Sequence, residues 1–438
     1  MTVQEDLPRR HPHGAAGRPR LAVAYDVTSS SPLELIESLN GRCDVVWVVD
    51  AGDPALGAWS RLLPRLGTVV DVAGRTPEDV TGELRSLGVD GVVAFTDSQL
   101  LTAASIGEAL GLAGNSTGAV FALTDKVVQR EALAAAGLPG PRFVAVPDST
   151  TPRELTALLA TIDAPVVIKP RRGSGSRDTV RARSRQEAEA QLTALLAAGG
   201  SGDLIVEEWL DDLGTGQGPF ADYVSVEAIA SRGDVVPLAV TGKFPLAEPC
   251  RETGNFLPHH LDAAEARRVE ALAVRAARAL GVVSGALHVE VKLTPAGPRI
   301  IEVNGRIGGG GIDALHALVH GRSLTWIATS VALGEPLGIG APPPPSTGAT
   351  VPEGGFAYAY FVQGPMPARS LTGLGNLEAV RRLPGVESTT VNRTVGDALD
   401  WRDGSQGYLV SVQGVADSLE ALARVPADVD ALIDLRWD

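Results

Sequence analysis

The sequence predicts an α/β protein in three parts, beginning with a parallel sheet that carries helices on its faces. Two observations predict that sheet: apolar runs of strand length recur, and stretches of helical character fall between them. Strands joined through helices run in the same direction, so a parallel sheet follows. A third observation divides the rest. A helix stopped by glycine and prolines marks the first boundary, and the proline run Pro342–Pro345 sets off the last part.

The first twenty residues carry Pro, Gly, Arg and His without a continuous apolar stretch, which predicts a mobile arm (1–20) rather than a secretory signal. Leu21–Tyr25 reads as a buried strand, with Thr28 to Ser31 offering caps to a helix near Leu33–Leu39. Asp44–Asp50, Thr68–Val72 and Gly91–Thr96 read as further strands, and Pro77–Leu87 as a helix. Asp26–Ser30 follows the first strand where a dinucleotide site would need glycines, so an NAD-dependent enzyme is disfavoured. Gly118–Ala136 reads as one helix, ended by Gly137, Pro139 and Pro141. It bounds a first domain at 21–117 and a second at 118–340. In the second, helices are expected at Pro152–Ala160, Gln186–Ala198 and Ala263–Leu280. Strands are expected at Leu204–Trp209, Tyr223–Ser231, Val235–Phe244, Ser284–Leu293 and Arg299–Val303. Phe356–Gln363, Val386–Asn392 and Gly407–Gln413 then predict strands of a small closing subdomain, 341–438.

The chain has 438 residues, enough for two or three cores, and its 44% hydrophobic and 21% charged content is that of a globular protein. A net charge of −14 argues against binding nucleic acid, which needs a positive face. Apolar stretches are interrupted before they reach membrane-spanning length, so no membrane partner is expected. Cys43 and Cys250 match no metal or redox spacing, and a reduced cytoplasmic protein is the simpler reading. The oligomeric state stays open, with a homodimer the commonest symmetric solution.

Chemistry concentrates in the late strands. His288, Glu290 and Lys292 share one face of a strand, and Thr294–Pro298 reverses the chain. On the return strand Glu302, Asn304 and Arg306 alternate, ahead of the glycine run Gly308–Gly311. Pairing of the strands brings Glu290 to Glu302 and Asn304, and two carboxylates with an amide oxygen suit Mg²⁺ held beside phosphates. Upstream, the strand Val166–Lys169 delivers a lysine into Pro170–Ser176, where Gly173, Ser174, Gly175 and Ser176 let backbone N–H groups approach phosphates. Lys126 stands on the helix at the first boundary, and Leu204–Leu210 is a strand leaving into a polar loop.

In this order, Lys126, Lys169 with its Gly/Ser loop, Ile205-Val206-Glu207-Glu208 and then Glu290 with Glu302-Val303-Asn304-Gly305-Arg306, the pieces resemble the ATP-grasp superfamily, and within it the L-amino-acid ligases. The resemblance implies an ATP-grasp fold: a Rossmann-like N-terminal domain, a two-lobed ATP-binding region and a small C-terminal α+β subdomain. It implies that Lys126 and Lys169 bind ATP phosphates and that Glu207, Glu208, Trp209 and Leu210 form the adenine-side hinge. Glu227 would lie on a central strand near the nucleotide. Glu290, Glu302 and Asn304 would hold two Mg²⁺ ions, or Mn²⁺ in their place, and Arg306 would face the reacting carboxylate. Glu252, Asn255 and His259 fall where the family places its amino acid substrates, with Asn255 standing in for a family histidine. Gly309 and Gly310 border the acyl group, and a glycine at 310 implies a roomier donor pocket.

The implied reaction joins two amino acids through an acyl-phosphate, with ADP and phosphate released. A γ-glutamyl-type ligase, a bicarbonate-using carboxylase and a non-catalytic ATP-binding protein are the alternatives.

Overall fold

The computed structural model describes residues 17–27, 30–198, 202–210, 218–337 and 350–438. Most of the expected arm, Thr28 and the proline run lie outside them. The N-terminal sheet is parallel, with β1 (Arg20–Ala24), β2 (Asp44–Val49), β3 (Thr68–Asp71) and β4 (Gly91–Ala94) in the order β3-β2-β1-β4. Val23 and Trp47 are register partners and fully buried, as apolar runs covered on both faces require. Ser31 caps the helix Pro32–Leu39 in a reciprocal capping box with Glu34.

A small antiparallel lobe follows: β5 (Phe143–Val146), β6 (Val166–Pro170), β7 (Val180–Ala182) and β8 (Leu204–Glu208), in the order β5-β8-β6-β7. The helices Pro152–Leu159 and Arg185–Ala198 bury Leu155, Leu159 and Leu192 against it.

The rest of the chain builds one eight-stranded sheet. It contains β9 (Tyr223–Ser231), β10 (Asp234–Lys243), β11 (Gly254–Leu257), β12 (Gly285–Thr294), β13 (Gly297–Asn304) and β14 (Phe356–Val362). Beyond β15 (Leu371–Gly375) come β16 (Val386–Val391) and β17 (Val410–Ala416), and β18 (Asp434–Trp437) pairs β15 separately. The order β13-β12-β9-β10-β11-β14-β17-β16 means that the C-terminal strands extend the central sheet through β11. No helix among the described residues is long and apolar enough to cross a membrane.

One element departs from expectation in a way that matters for the site. The single helix expected at Gly118–Ala136 is two, Thr117–Thr124 and Lys126–Ala135. Asp125 breaks it: extended at φ −115°, it ends the first helix and caps the second through Val127 and Val128 N–H. Asp125 is fully buried, and Arg171 and Arg172 from the loop after β6 bind its oxygens at 2.8 and 3.3 Å.

Candidate active site

The break at Asp125 puts Lys126 in the first turn of its helix, which docks on β13, an edge strand of the central sheet. Gln129 mimics a neighbouring strand there: its Nε2 donates to Val303 O and its Oε1 accepts Val303 N–H, both at 2.9 Å. Lys126 Nζ thereby lies 3.1 Å from Glu302 Oε1 and donates to Gly173 O at 2.7 Å.

On the hairpin, Glu290 is the cross-strand partner of Glu302, and Asn304 that of His288. A bulge at Ile301 shifts the register after Glu290, while Lys292, next on the same face of β12, also lines the cavity. Burial pushes both carboxyls up, but neighbouring cations outweigh it and hold both below the ordinary range. For Glu290 the cation is His288; for Glu302 it is Lys126 and then Lys169. The pair therefore presents two anions at neutral pH. Asn304 Nδ2 donates to His288 O at 3.4 Å, and its Oδ1 has no hydrogen bond among the described residues. Two carboxylates and an amide oxygen match the chemistry of Mg²⁺, which takes its remaining ligands from water and phosphate. Among the described residues, no three His, Cys, Asp or Glu side chains converge to hold an ion unaided.

Behind these groups stands a second row of charges. Lys169 Nζ lies 2.9 Å from Glu207 Oε2, and Arg130 Nε lies 2.8 Å from Glu207 Oε1. Burial raises the Glu207 carboxyl, but Arg130 and Lys169 outweigh it and hold it at about 2. Glu227 accepts from Ser225 (2.8 Å) and Thr241 (3.1 Å) and lies 3.0 Å from His288 Nδ1. His288 Nε2 is in turn 3.5 Å from Glu290. Burial alone would lower the His288 pKa, yet Glu227 raises it to about 9. Arg306 Nε is held at 2.7 Å by Asp97, from the turn after β4.

These residues surround a cavity of about 1550 Å³ between the N-terminal sheet, the small lobe and the central sheet. Lys126, Lys169, Ser174, Gly175, Ser176, Glu207, Glu208, Trp209, Leu210, Glu252, Glu290, Glu302, Asn304, Arg306, Gly309 and Gly310 all line it. Three expected site residues do not. Glu227 is 1% exposed and sits behind His288, reaching Glu290 only through the imidazole. Asn255 is fully buried between Lys243 Nζ (2.7 Å) and the Gly310 carbonyl (2.9 Å). His259 lies beyond the end of β11, its Nδ1 accepting Leu261 N–H.

Gly310 also needs correction. At φ +62° its Cβ would stand 2.4 Å from Asn255 Nδ2, so backbone conformation and packing demand glycine there whatever the donor's size. Gly309 has open space at its Cβ position. Asp97, Gln129, His288 as a link and Lys243 were not singled out from the sequence. Only His288 carried a signal, its place on the polar face of β12.

Comparison with known proteins places this geometry. Residues 123–310 match the ATP-grasp domain family. An uncharacterised protein of Sinorhizobium fredii is 29% identical, covering 73% of this chain and 67% of its own. The alanine–anticapsin ligase of Bacillus subtilis is 27% identical over 49% of this chain, which spans 48% of that enzyme. Among solved structures, the L-amino acid ligase from Bacillus licheniformis superimposes with a TM-score of 0.72 at 20% identity, covering 97% of this chain and 100% of that one. N5-carboxyaminoimidazole ribonucleotide synthetase from Thermotoga maritima shares the fold at 0.65 and 15% identity, covering 96% and 100%. Residues 123–310 thus form an ATP-grasp domain, and the chain as a whole is similar in fold to an L-amino acid ligase.

Proposed function

We propose that this chain is a carboxylate–amine ligase that joins two amino acids, or an amino acid and an amine, at the expense of ATP. The observation that carries this reading is the row of opposed charges on one cavity wall, Lys169, Lys126, Glu302 and Glu290, with Arg306 beyond it. In this reading Lys126, Lys169 and the Ser174–Ser176 backbone hold the phosphates, and Glu208, Trp209 and Leu210 line the adenine side. Glu207 braces Lys169 from behind. Glu290, Glu302 and Asn304 would hold Mg²⁺, which offsets the phosphate charge when bound; one ion or two fit the same donors.

Arg306, fixed by Asp97, aims at the acyl oxygen, where loss of one charged donor costs on the order of 10²–10³ in rate. Glu252, which accepts from Lys243 at 3.2 Å, faces the amine. The loop Gly173–Asp178 covers the site and keeps water from the acyl-phosphate. Residues 21–117, 118–340 and 341–438 serve as the N-terminal, nucleotide-binding and closing units. Amino acids are the partners, and the cytoplasm the compartment, of this proposal.

A phosphate-release screen over pairs of amino acids, with product masses for the hits, tests it. Release with no pair, or a product lacking a new amide, overturns it. The fold shared with carboxyaminoimidazole ribonucleotide synthetase supports a second reading, carboxylation with bicarbonate. A bicarbonate arm in the same screen separates the two.

A further inference from the structure

The turn Trp401–Gly407, between β16 and β17, lies directly on the loop Gly173–Asp178. Gly404 adopts φ +69°, and a Cβ there would stand 2.1 Å from Gly175 O and 2.6 Å from Arg177 N, an approach only glycine permits. Ser405 donates its N–H to Gly175 O at 2.8 Å, while its Oγ accepts the Glu252 N–H at 2.9 Å. Gln363 Nε2 donates to the carbonyls of Glu252 (2.8 Å) and Ser405 (3.1 Å). At the far end of the loop, Arg402 Nε lies 2.5 Å from Asp178 Oδ1, and the Asp178 N–H donates to Arg402 O at 3.2 Å. The loop itself is held in left-handed conformations at Gly175, Ser176 and Asp178, which it adopts against this turn. One residue, Ser405, therefore touches both the loop over the phosphates and the backbone of the carboxylate assigned to the amine.

Resting on the ligase reading, we propose that the Trp401–Gly407 turn is a latch that couples closure of the Gly173–Asp178 loop to the Glu252 subsite, with Ser405 as its positioning residue. The latch makes the activated acyl group wait for the amine. When it is broken, water attacks the acyl carbon, the bond to the phosphate oxygen breaks, and the carboxylate, phosphate and a proton return to solution. The net loss is one ATP converted to ADP and phosphate without product.

Two measurements on the full chain test the latch, using wild type, Ser405→Ala, Arg402→Ala and Arg402→Lys. In turnover with the best amino acid pair, ADP released per amide formed should rise several-fold in both alanine variants, with Arg402→Lys in between and the KM for ATP little changed. Without substrates, trypsin should cut after Arg172 and Arg177 several-fold faster in Arg402→Ala, whereas Ser405→Ala, which keeps its backbone bond to Gly175 O and loses only the one to Glu252, should be cut at the wild-type rate. Unchanged ADP-to-product ratios in both alanine variants, or an unchanged cleavage rate in Arg402→Ala, overturn the latch; should Arg402→Ala not fold, Arg402→Lys decides the cleavage and Ser405→Ala the ratio. A wild-type chain that forms no amide with any pair overturns the ligase reading instead, and the cleavage rates still decide whether the turn holds the loop.

Discussion

The two ends of the cavity are built on different principles. At the lysine–carboxylate end every charged side chain is braced by a second charge behind it: Glu207 behind Lys169, Glu227 and His288 behind Glu290, Lys126 beside Glu302. Those bonds run between strands of fixed register, or, for Lys126, from a helix docked on β13, so the groups are set before any ligand arrives. At the glycine end, Gly308–Gly311 carries no side chains. Its walls are Phe361, stacked on Tyr408 at 5.0 Å, and residues of the C-terminal strands. In the proposed ligase the first end would carry the phosphate chemistry and the second the choice of substrate.

The comparison breaks most directly at Glu302. Glu302→Ala should cost more than about 100-fold in turnover, since even partners behind a metal ligand cost roughly 10–100-fold. Full activity with unchanged metal-dependent ATP affinity would remove the carboxylate from the chemistry. Glu227→Gln tests the second row: it should weaken metal-dependent nucleotide binding by about 10–100-fold in titration, although Glu227 touches no ligand.

Glu207 sharpens the energetic side. Its folded pKa, about 2, lies below the ordinary 4.5. A depressed carboxyl stabilises the fold fully above 4.5, and that stabilisation is lost as pH falls through about 2. The stability gap between wild type and Glu207→Gln should be widest at neutral pH and close in acid, as thermal melts would show. A gap independent of pH would contradict the pairing with Lys169 and Arg130.

The smallest effects belong to the glycine end. Gly309→Leu should shift preference toward smaller acyl donors by about 1–3 kcal/mol in the ratio of kcat/KM values. Gly310→Ala should chiefly lower the melting temperature, because its Cβ meets Asn255. The reverse pattern would exchange the roles of the two glycines.

What the sequence revealed follows the same division. The Glu290–Glu302 encounter was legible because a hairpin with a short turn fixes its own register. Lys169 was legible because a buried strand rarely ends in a lysine without a partner. Glu207 and Glu227 of the second row were named, but its pairings were not legible, since Glu227 and His288 are 61 residues apart and Asp97 and Arg306 are 209. The break at Asp125 was hidden by apolar periodicity that runs on through Val120, Leu123 and Val127; the aspartate's cap, with two arginines on its oxygens, overrides it. Asn255 was placed by analogy of position, and its burial under Lys243 depends on β10 and β11 pairing, which no local pattern displays.

The strand β11 has four residues and meets β10 at two of them, Asn255 and Phe256, yet among the described residues it alone joins the C-terminal strands to the rest of the central sheet. The last part of this chain is therefore not an exchangeable module. Trimming it would bare the backbone edge of Gly254–Leu257 and uncover Phe256, a surface that invites pairing with another chain. Grafting on a foreign segment would demand a strand that matches both that edge and the Asn255–Gly310 hydrogen bond. Inheritance and engineering alike should treat the middle and the end of this protein as one unit.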